Sequence, residues 1–427
     1  MRKSNDTTIK NVFYLYILRG LQYIFPLITM PLLIQRLGVS NYGIITYSQA
    51  VTSYFIILVN YGFNLSAPRE VAKNRENIKV LSSIFNRVFF VKSFILIICT
   101  PIIIIVGFSV PILRENIHIY LLLYISLINE LIFPVWFFQG TENMKFITRI
   151  NIFTRLIGVV LLYFFVHGHN DTWTALLLMN LSNLIGGLIG FVIVMKKYSI
   201  HFAIPKITEF KAELISGFDL FIAQGATTLF SNGNIFILGI ILTPVQVGNY
   251  AIAEKIMRMI ASFVAPISQS LYPISSKLFS ESKERAMDYL RKYTVLGGVF
   301  FFLIFILTIV FSDFIIEIVA GNKANETIKN MLMLMAIIPL SIFINNIYGT
   351  QIMLNTNNEK LFRNIVVSVG GLLPILSFIF TNINSNYGGT VALLISEISL
   401  TLIMIIYIEF IKKEGFINSM LKRETTY

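Results

Sequence analysis

About a dozen apolar stretches, each near twenty residues, fill almost all of this 427-residue chain. A helix of that length is about 30 Å long, the thickness of a bilayer's hydrocarbon core. The expected spans are 12–35, 42–65, 84–108, 117–138, 150–167, 173–195, 214–241, 249–273, 293–313, 328–352, 364–381 and 387–411. The connections between them are too short to fold as domains. The fold class this predicts is all-α integral membrane, with about 12 transmembrane helices.

Composition agrees. Hydrophobic residues make up 56% of the chain and charged residues 13%, too little charge to cover a soluble protein of this size. The formal charge of +12 reads as topology and attraction to anionic membrane lipid, not as a nucleic-acid surface. One cysteine, Cys99, excludes an internal disulfide framework. The basic segment Met1 to Lys10 precedes an apolar run with no small-residue cleavage site, so that run reads as the first span rather than a removable leader.

Lys and Arg set the orientation. The N-terminal tail, 66–83, 139–149, 196–213, 274–292, 353–363 and 412–427 together carry about 24 of them, whereas the opposite loops carry about four: Arg36, Arg114, Lys323 and Lys329. With an even span count, both termini are expected in the cytoplasm. The longest cytoplasmic connection, Lys196 to Glu213, divides the chain into 1–205 and 206–427 with six spans each. That suggests two repeats about an axis along the membrane normal.

Six cations remain inside the spans: Arg19, Arg87, Lys92, Arg155, Lys255 and Arg258. A charge at the bilayer centre costs roughly 2.5–3.5 kcal/mol, so each needs a reason. Arg87 and Arg155 are expected near the cytoplasmic ends of spans three and five, within snorkelling reach of the headgroups. Lys92 lies deeper. Arg19 shares a helix face with Gln22 and Pro26, and Pro26 and Pro31 are expected to kink or loosen that helix. It reads either as a snorkelling residue or as a cationic spot on a cavity wall. In span eight, Glu254 and Arg258 stand four apart and can pair, which leaves Lys255 uncompensated on its own helix. That cluster reads as a structural pair or as a site for an anion or a relayed proton. Glu254 and Asp219 are the candidates for ion or proton coupling, and Glu130 and Glu397 are further embedded acids.

Neutral polar rows mark helix faces too. Gln224, Thr227, Ser231 and Asn234 form one in span seven; Ser341, Asn345, Tyr348 and Asn355 another in span ten; Tyr47, Tyr54 and Tyr61, with Asn60 and Asn64, a third in span two. Such rows face protein or water, not lipid, and either interhelical bonding or a wet cavity accounts for them. Gly186-x3-Gly190 permits close helix packing. His167 and His169 have no acidic or sulfur cluster nearby beyond Asp171, too little for a metal site. There is no Walker A sequence and no dinucleotide fingerprint, so no cofactor is expected.

Several runs are familiar. Pro26-Leu27-Ile28-Thr29-Met30-Pro31 leads to Arg36-Leu37-Gly38 and Asn41-Tyr42-Gly43; Asn60-Tyr61-Gly62-Phe63-Asn64 leads to Arg69-Glu70-Val71-Ala72. The second half has Asn234-x-Phe236-Ile237-Leu238-Gly239, then Val247-Gly248-Asn249-Tyr250, Ala253-Glu254-Lys255-Ile256 and Ala265-Pro266-Ile267-Ser268-Gln269. Together they resemble Wzx-type O-antigen flippases of the multidrug/oligosaccharidyl-lipid/polysaccharide exporter superfamily. The resemblance implies two six-helix bundles forming a MATE-like V, with spans one, two, seven and eight lining the cavity. It implies a bacterial inner membrane location and an undecaprenyl-diphosphate-linked oligosaccharide as substrate, of O-antigen or capsule type. A polysaccharide polymerase of the same pathway is the implied partner. Asn60 stands where relatives often carry an acid, and Arg19 where many carry Gln, so no family role passes to either.

On this reading Arg19, Lys255 and Arg258 meet the diphosphate, and Tyr54, Asn60, Gln224, Thr227, Ser231, Asn234 and Asn345 line the path for the sugars. A cation-coupled small-molecule exporter of the same superfamily is the alternative; it calls for embedded acids to dominate. A membrane polymerase or glycosyltransferase is less favoured, because no loop is large enough to hold a catalytic site.

Overall fold

The computed structural model of the chain describes residues 2–412 and 415–416; the side chains of 2–19 and 21–24, and those of Asp219, Thr227, Ser231 and a few neighbours, lie outside the described residues. Every regular element among the described residues is a helix. In order these are α1 (Arg2–Asn60), α2 (Phe63–Lys73), α3 (Ile78–Ser109), α4 (Pro111–Glu115), α5 (Ile117–Leu122), α6 (Tyr124–Ile132), α7 (Val135–Gly140), α8 (Met144–Phe165) and α9 (Thr172–Lys197). Then follow α10 (Ile207–Ile241), α11 (Pro244–Ala261), α12 (Val264–Glu281), α13 (Lys283–Val310), α14 (Ser312–Ala320), α15 (Glu326–Met335), α16 (Ile338–Asn346), α17 (Glu359–Ile383) and α18 (Gly388–Ile406).

Each expected span falls on helix, and nine helical segments among the described residues are long and apolar enough to cross a bilayer. The protein is an all-α integral membrane protein. Helix α11 is not among the nine, because Glu254, Lys255 and Arg258 break its apolar run. Spans four and ten, continuous in the sequence reading, are each built from several short helices.

Backbone angles stay helical through Pro26 and Pro31, and the helix breaks at Gly38, whose φ of 84° and ψ of 167° suit glycine alone. The motif around it is a corner. Arg36 donates from Nη1 to the carbonyls of Tyr163 and Val166 at the C-terminal end of α8, capping acceptors that the helix leaves open. The Leu37 carbonyl meets Nδ1 of His169, and the amide of Asn41 donates to the Leu37 and His169 carbonyls. His169 thus serves the corner.

The chain forms two compact units, Met1–Asn232 with Thr243–Val245, and Gly233–Leu242 with Gln246–Tyr427. Residues 207–232 of α10 therefore pack with the first unit. There Tyr61 stacks on Phe221 at 5.3 Å, and Gly62, in the left-handed region at φ 81°, leaves room for Leu220. Gly186 and Gly190 bring α9 against Thr154 of α8 and against Phe133, as their spacing predicts. In the second unit Phe301 and Phe343 stack at 5.1 Å within a core that includes Leu290, Ile347, Met353 and Met404. The α12–α13 junction is capped by Ser282, whose hydroxyl accepts from the Arg285 amide.

Candidate functional site

Helix α11 carries the charge cluster of the second unit. From Val247 to Met257 every residue is buried except Lys255. That stretch of the helix thus presents the Lys255 side chain alone at its surface. One turn on, the helix ends at Ala261, because the Pro266 ring would collide with the carbonyl four residues back.

Glu254 is 3% exposed and pairs with Arg258: Nη2 lies 2.6 Å and Nε 2.9 Å from the same carboxylate oxygen. Arg258 also interacts with the charge of Glu397 on α18, itself buried. So Arg258 interacts with two acids, while Lys255, which also feels the charge of Glu254, forms no salt bridge among the described residues. A charge that no acid grips directly can take a mobile partner.

Asn234 sits beside this cluster in a dry network. It is 1% exposed; its amide donates to the Tyr250 hydroxyl at 2.6 Å and the Gly389 carbonyl at 3.0 Å, and its oxygen accepts from Ser377. All its hydrogen-bonding groups serve packing between α10, α11, α17 and α18, so the structure does not place Asn234 on an open path.

The first unit holds a second buried network. Lys92 is 1% exposed, and its Nζ lies 3.1 Å from both a carboxylate oxygen and the backbone carbonyl of Glu130. The Asn60 amide donates to that same carboxylate oxygen at 2.9 Å. Asn60, expected against sugars, is therefore held by an ion pair that bridges spans two, three and four. The tyrosine row of span two also faces protein, with Tyr47 fully buried and Tyr61 stacked. Tyr54, Gln224 and Asn345 are each half-buried. The side chains of Arg19, Asp219, Thr227 and Ser231 lie outside the described residues.

Both cations expected to snorkel have contacts within the protein. Arg87 pairs with Glu70 and, at 3.0 Å, with Glu213, so its charge is met within the protein. Arg155 is the twelfth of 22 residues in α8, which begins at Met144. Its guanidinium lies over the Phe25 ring, 5.5 Å from the centroid.

Solved structures place this architecture among membrane transporters of the MATE kind. An inward-facing multidrug resistance MATE family transporter of the MOP superfamily has a TM-score of 0.70 at 10% identity, over 94% of this chain and 95% of that one. The lipid II flippase MurJ has a TM-score of 0.68 at 15% identity, over 96% and 91%. Sequence narrows the class. Residues 8–279 match the family described as polysaccharide biosynthesis protein. A relative from Escherichia coli (strain K12), named as an O-antigen transporter, is 30% identical over 403 residues, covering 93% of this chain and 96% of its own. Another with that name, from Shigella dysenteriae, is 24% identical over 405 residues. The chain belongs to the polysaccharide biosynthesis protein family.

Proposed function

We propose that this protein is a flippase that carries undecaprenyl-diphosphate-linked oligosaccharide repeat units, of O-antigen or capsule type, from the inner to the outer leaflet of the bacterial cytoplasmic membrane. The observation that carries this reading is Lys255, exposed within the stretch Val247 to Met257 of α11 that is otherwise buried. A diphosphate and several sugars cannot cross hydrocarbon bare. Lys255 supplies a charge-assisted contact to the phosphates, and Arg258, fixed by Glu254, shapes the field around it. Arg19 meets the diphosphate on the inward side. Tyr54, Gln224 and Asn345 contact sugars.

In this account the chain crosses the membrane twelve times, with both termini cytoplasmic as the Lys and Arg count directs. Its halves, 1–205 and 206–427, alternate access to the two sides. The membrane potential, negative inside, favours the outward step by about 2.3 kcal/mol per charge per 100 mV, hence about 4–5 kcal/mol for two negative charges. No chemical step is required of the protein, and a polymerase of the same pathway receives the product.

The test is surface display of the polymer in a strain whose own flippase is deleted. Lys255→Met should lower display more than tenfold at equal protein level, and Lys255→Arg should restore much of it. Full display by Lys255→Met would remove this residue from the mechanism. Cation-coupled export, the second reading, has support in buried Glu254 and Glu397, yet both stand against Arg258.

A further inference from the structure

We propose that the first unit carries a binding site for a phospholipid headgroup with a primary ammonium, of the phosphatidylethanolamine kind. The connection between α9 and α10 builds it. There the His201 amide donates to the Ser82 hydroxyl at 3.4 Å, and the His201 carbonyl accepts from the Asn86 amide at 2.9 Å. One residue on, the Phe202 ring stands edge-on to Phe89 at 5.3 Å and tilted against Phe191 at 6.0 Å. These contacts hold the connection against the start of α3, and a cleft of about 280 Å³ lies beside them. Its wall includes Lys79, Ser82, Ser83, Asn86, His201 and Glu209, all of the first unit.

The wall is one donor short. Asn86 is 3% exposed, and its side-chain oxygen has no hydrogen-bond partner among the described residues. A buried acceptor left open costs free energy, and an occupant that brings N–H groups removes the cost. Ser82 and Ser83 accept hydrogen bonds from His201 and, at 2.9 Å, from Arg87, and each has a hydroxyl proton to give. Lys79 on α3 and Glu209 on α10 are exposed and put both signs of charge on the wall. Hydroxyl protons and an ammonium suit a phosphate; a carboxylate and an open amide oxygen suit a cation that carries N–H groups. An ethanolamine phosphate has both ends. The level is right for a lipid. Exposed apolar residues of α3 run from Phe94 to Phe108, about 21 Å. A hydrocarbon core of about 30 Å that closes at Phe108 begins near Val88, so Asn86, Ser83 and Ser82 fall in the headgroup layer. Phe202 and Ile204 are apolar yet 48% and 84% exposed, set to meet the lipid's chains.

The site is read by binding, without translocation, and shares no residue with the path built around Lys255, so either can fail alone. Native mass spectrometry of the full chain, released from mixed micelles, counts bound phosphatidylethanolamine, phosphatidylcholine and phosphatidylglycerol with identical acyl chains. Phosphatidylcholine keeps the cation but has no N–H; phosphatidylglycerol has hydroxyl donors but no cation. Phosphatidylethanolamine should be retained at least fivefold over each. Glu209→Gln, at an exposed position, should lower its preference over phosphatidylglycerol at least threefold. Asn86→Leu should lower its preference over phosphatidylcholine by a similar factor. Lys79→Met should weaken phosphatidylethanolamine and phosphatidylcholine alike, since both bring a phosphate. Equal wild-type retention of the three lipids, a wild-type preference for phosphatidylglycerol, or unchanged preferences in both Glu209→Gln and Asn86→Leu would overturn the proposal.

Discussion

Replacing Lys92 by Met isolates a carboxylate inside the first unit. In the native protein Nζ lies 3.1 Å from a Glu130 oxygen, worth about 5 kcal/mol of attraction at an effective dielectric of about 20. Losing one partner of a buried pair costs about 3–5 kcal/mol, because the other charge stays desolvated. Lys92→Met should therefore destabilise by about 3–5 kcal/mol. Adding Glu130→Gln removes the stranded charge and keeps an oxygen for the Asn60 amide. The double variant should lie within about 1–2 kcal/mol of the wild type, a coupling of about 2 kcal/mol or more. Unfolding free energies in mixed micelles, taken around the full cycle, measure this. Additive single effects within about 0.5 kcal/mol would refute the reasoning.

Gly38→Ala should cost about 1–3 kcal/mol for backbone strain, and its Cβ would stand 2.5 Å from the His169 ring; adding His169→Ala should recover only the steric part, read by thermal unfolding. Asn234→Leu leaves Ser377, Tyr250 and the Gly389 carbonyl short of partners and should destabilise by about 2–4 kcal/mol, while export per folded molecule stays unchanged in the display assay. Arg36→Lys ends one atom short of Nη1, the nitrogen that serves both carbonyls, and should lower the unfolding midpoint by the equivalent of about 1 kcal/mol.

The helices and the lipid environment were legible because hydrophobic length is a local property. So was the Glu254–Arg258 pair, whose four-residue spacing puts both on one face. The start of the Arg155 helix was not: it opens with the polar turn Met144 to Arg149, which hydropathy assigns to a loop although the backbone is already helical. Asn234 was misread for another reason. Its partners Ser377 and Gly389 lie 143 and 155 positions away, and a polar row carries the same pattern in either a dry network or a wet wall. Lys92 and Glu130, 38 positions apart, escaped likewise.

The embedded cations divide by what meets them. Arg87 bridges Glu70 and Glu213, Lys92 holds Glu130, and Arg258 holds Glu254. Each of these bonds ties helix to helix or turn to turn. Handing such a cation to a travelling phosphate would strand its acid at a cost of about 3–5 kcal/mol, as much as two charges gain from the membrane potential. A carrier that must release its cargo on every cycle cannot run against a deficit of that size. An ammonium that no acid grips directly avoids it: the phosphate replaces water, and departure returns the water. A compact, strongly hydrated point charge also lacks the bidentate lock of a guanidinium, so release stays fast. Lys255, exposed on an enclosed stretch of α11, meets that physical requirement, and Lys255→Arg should accordingly retain binding while slowing turnover.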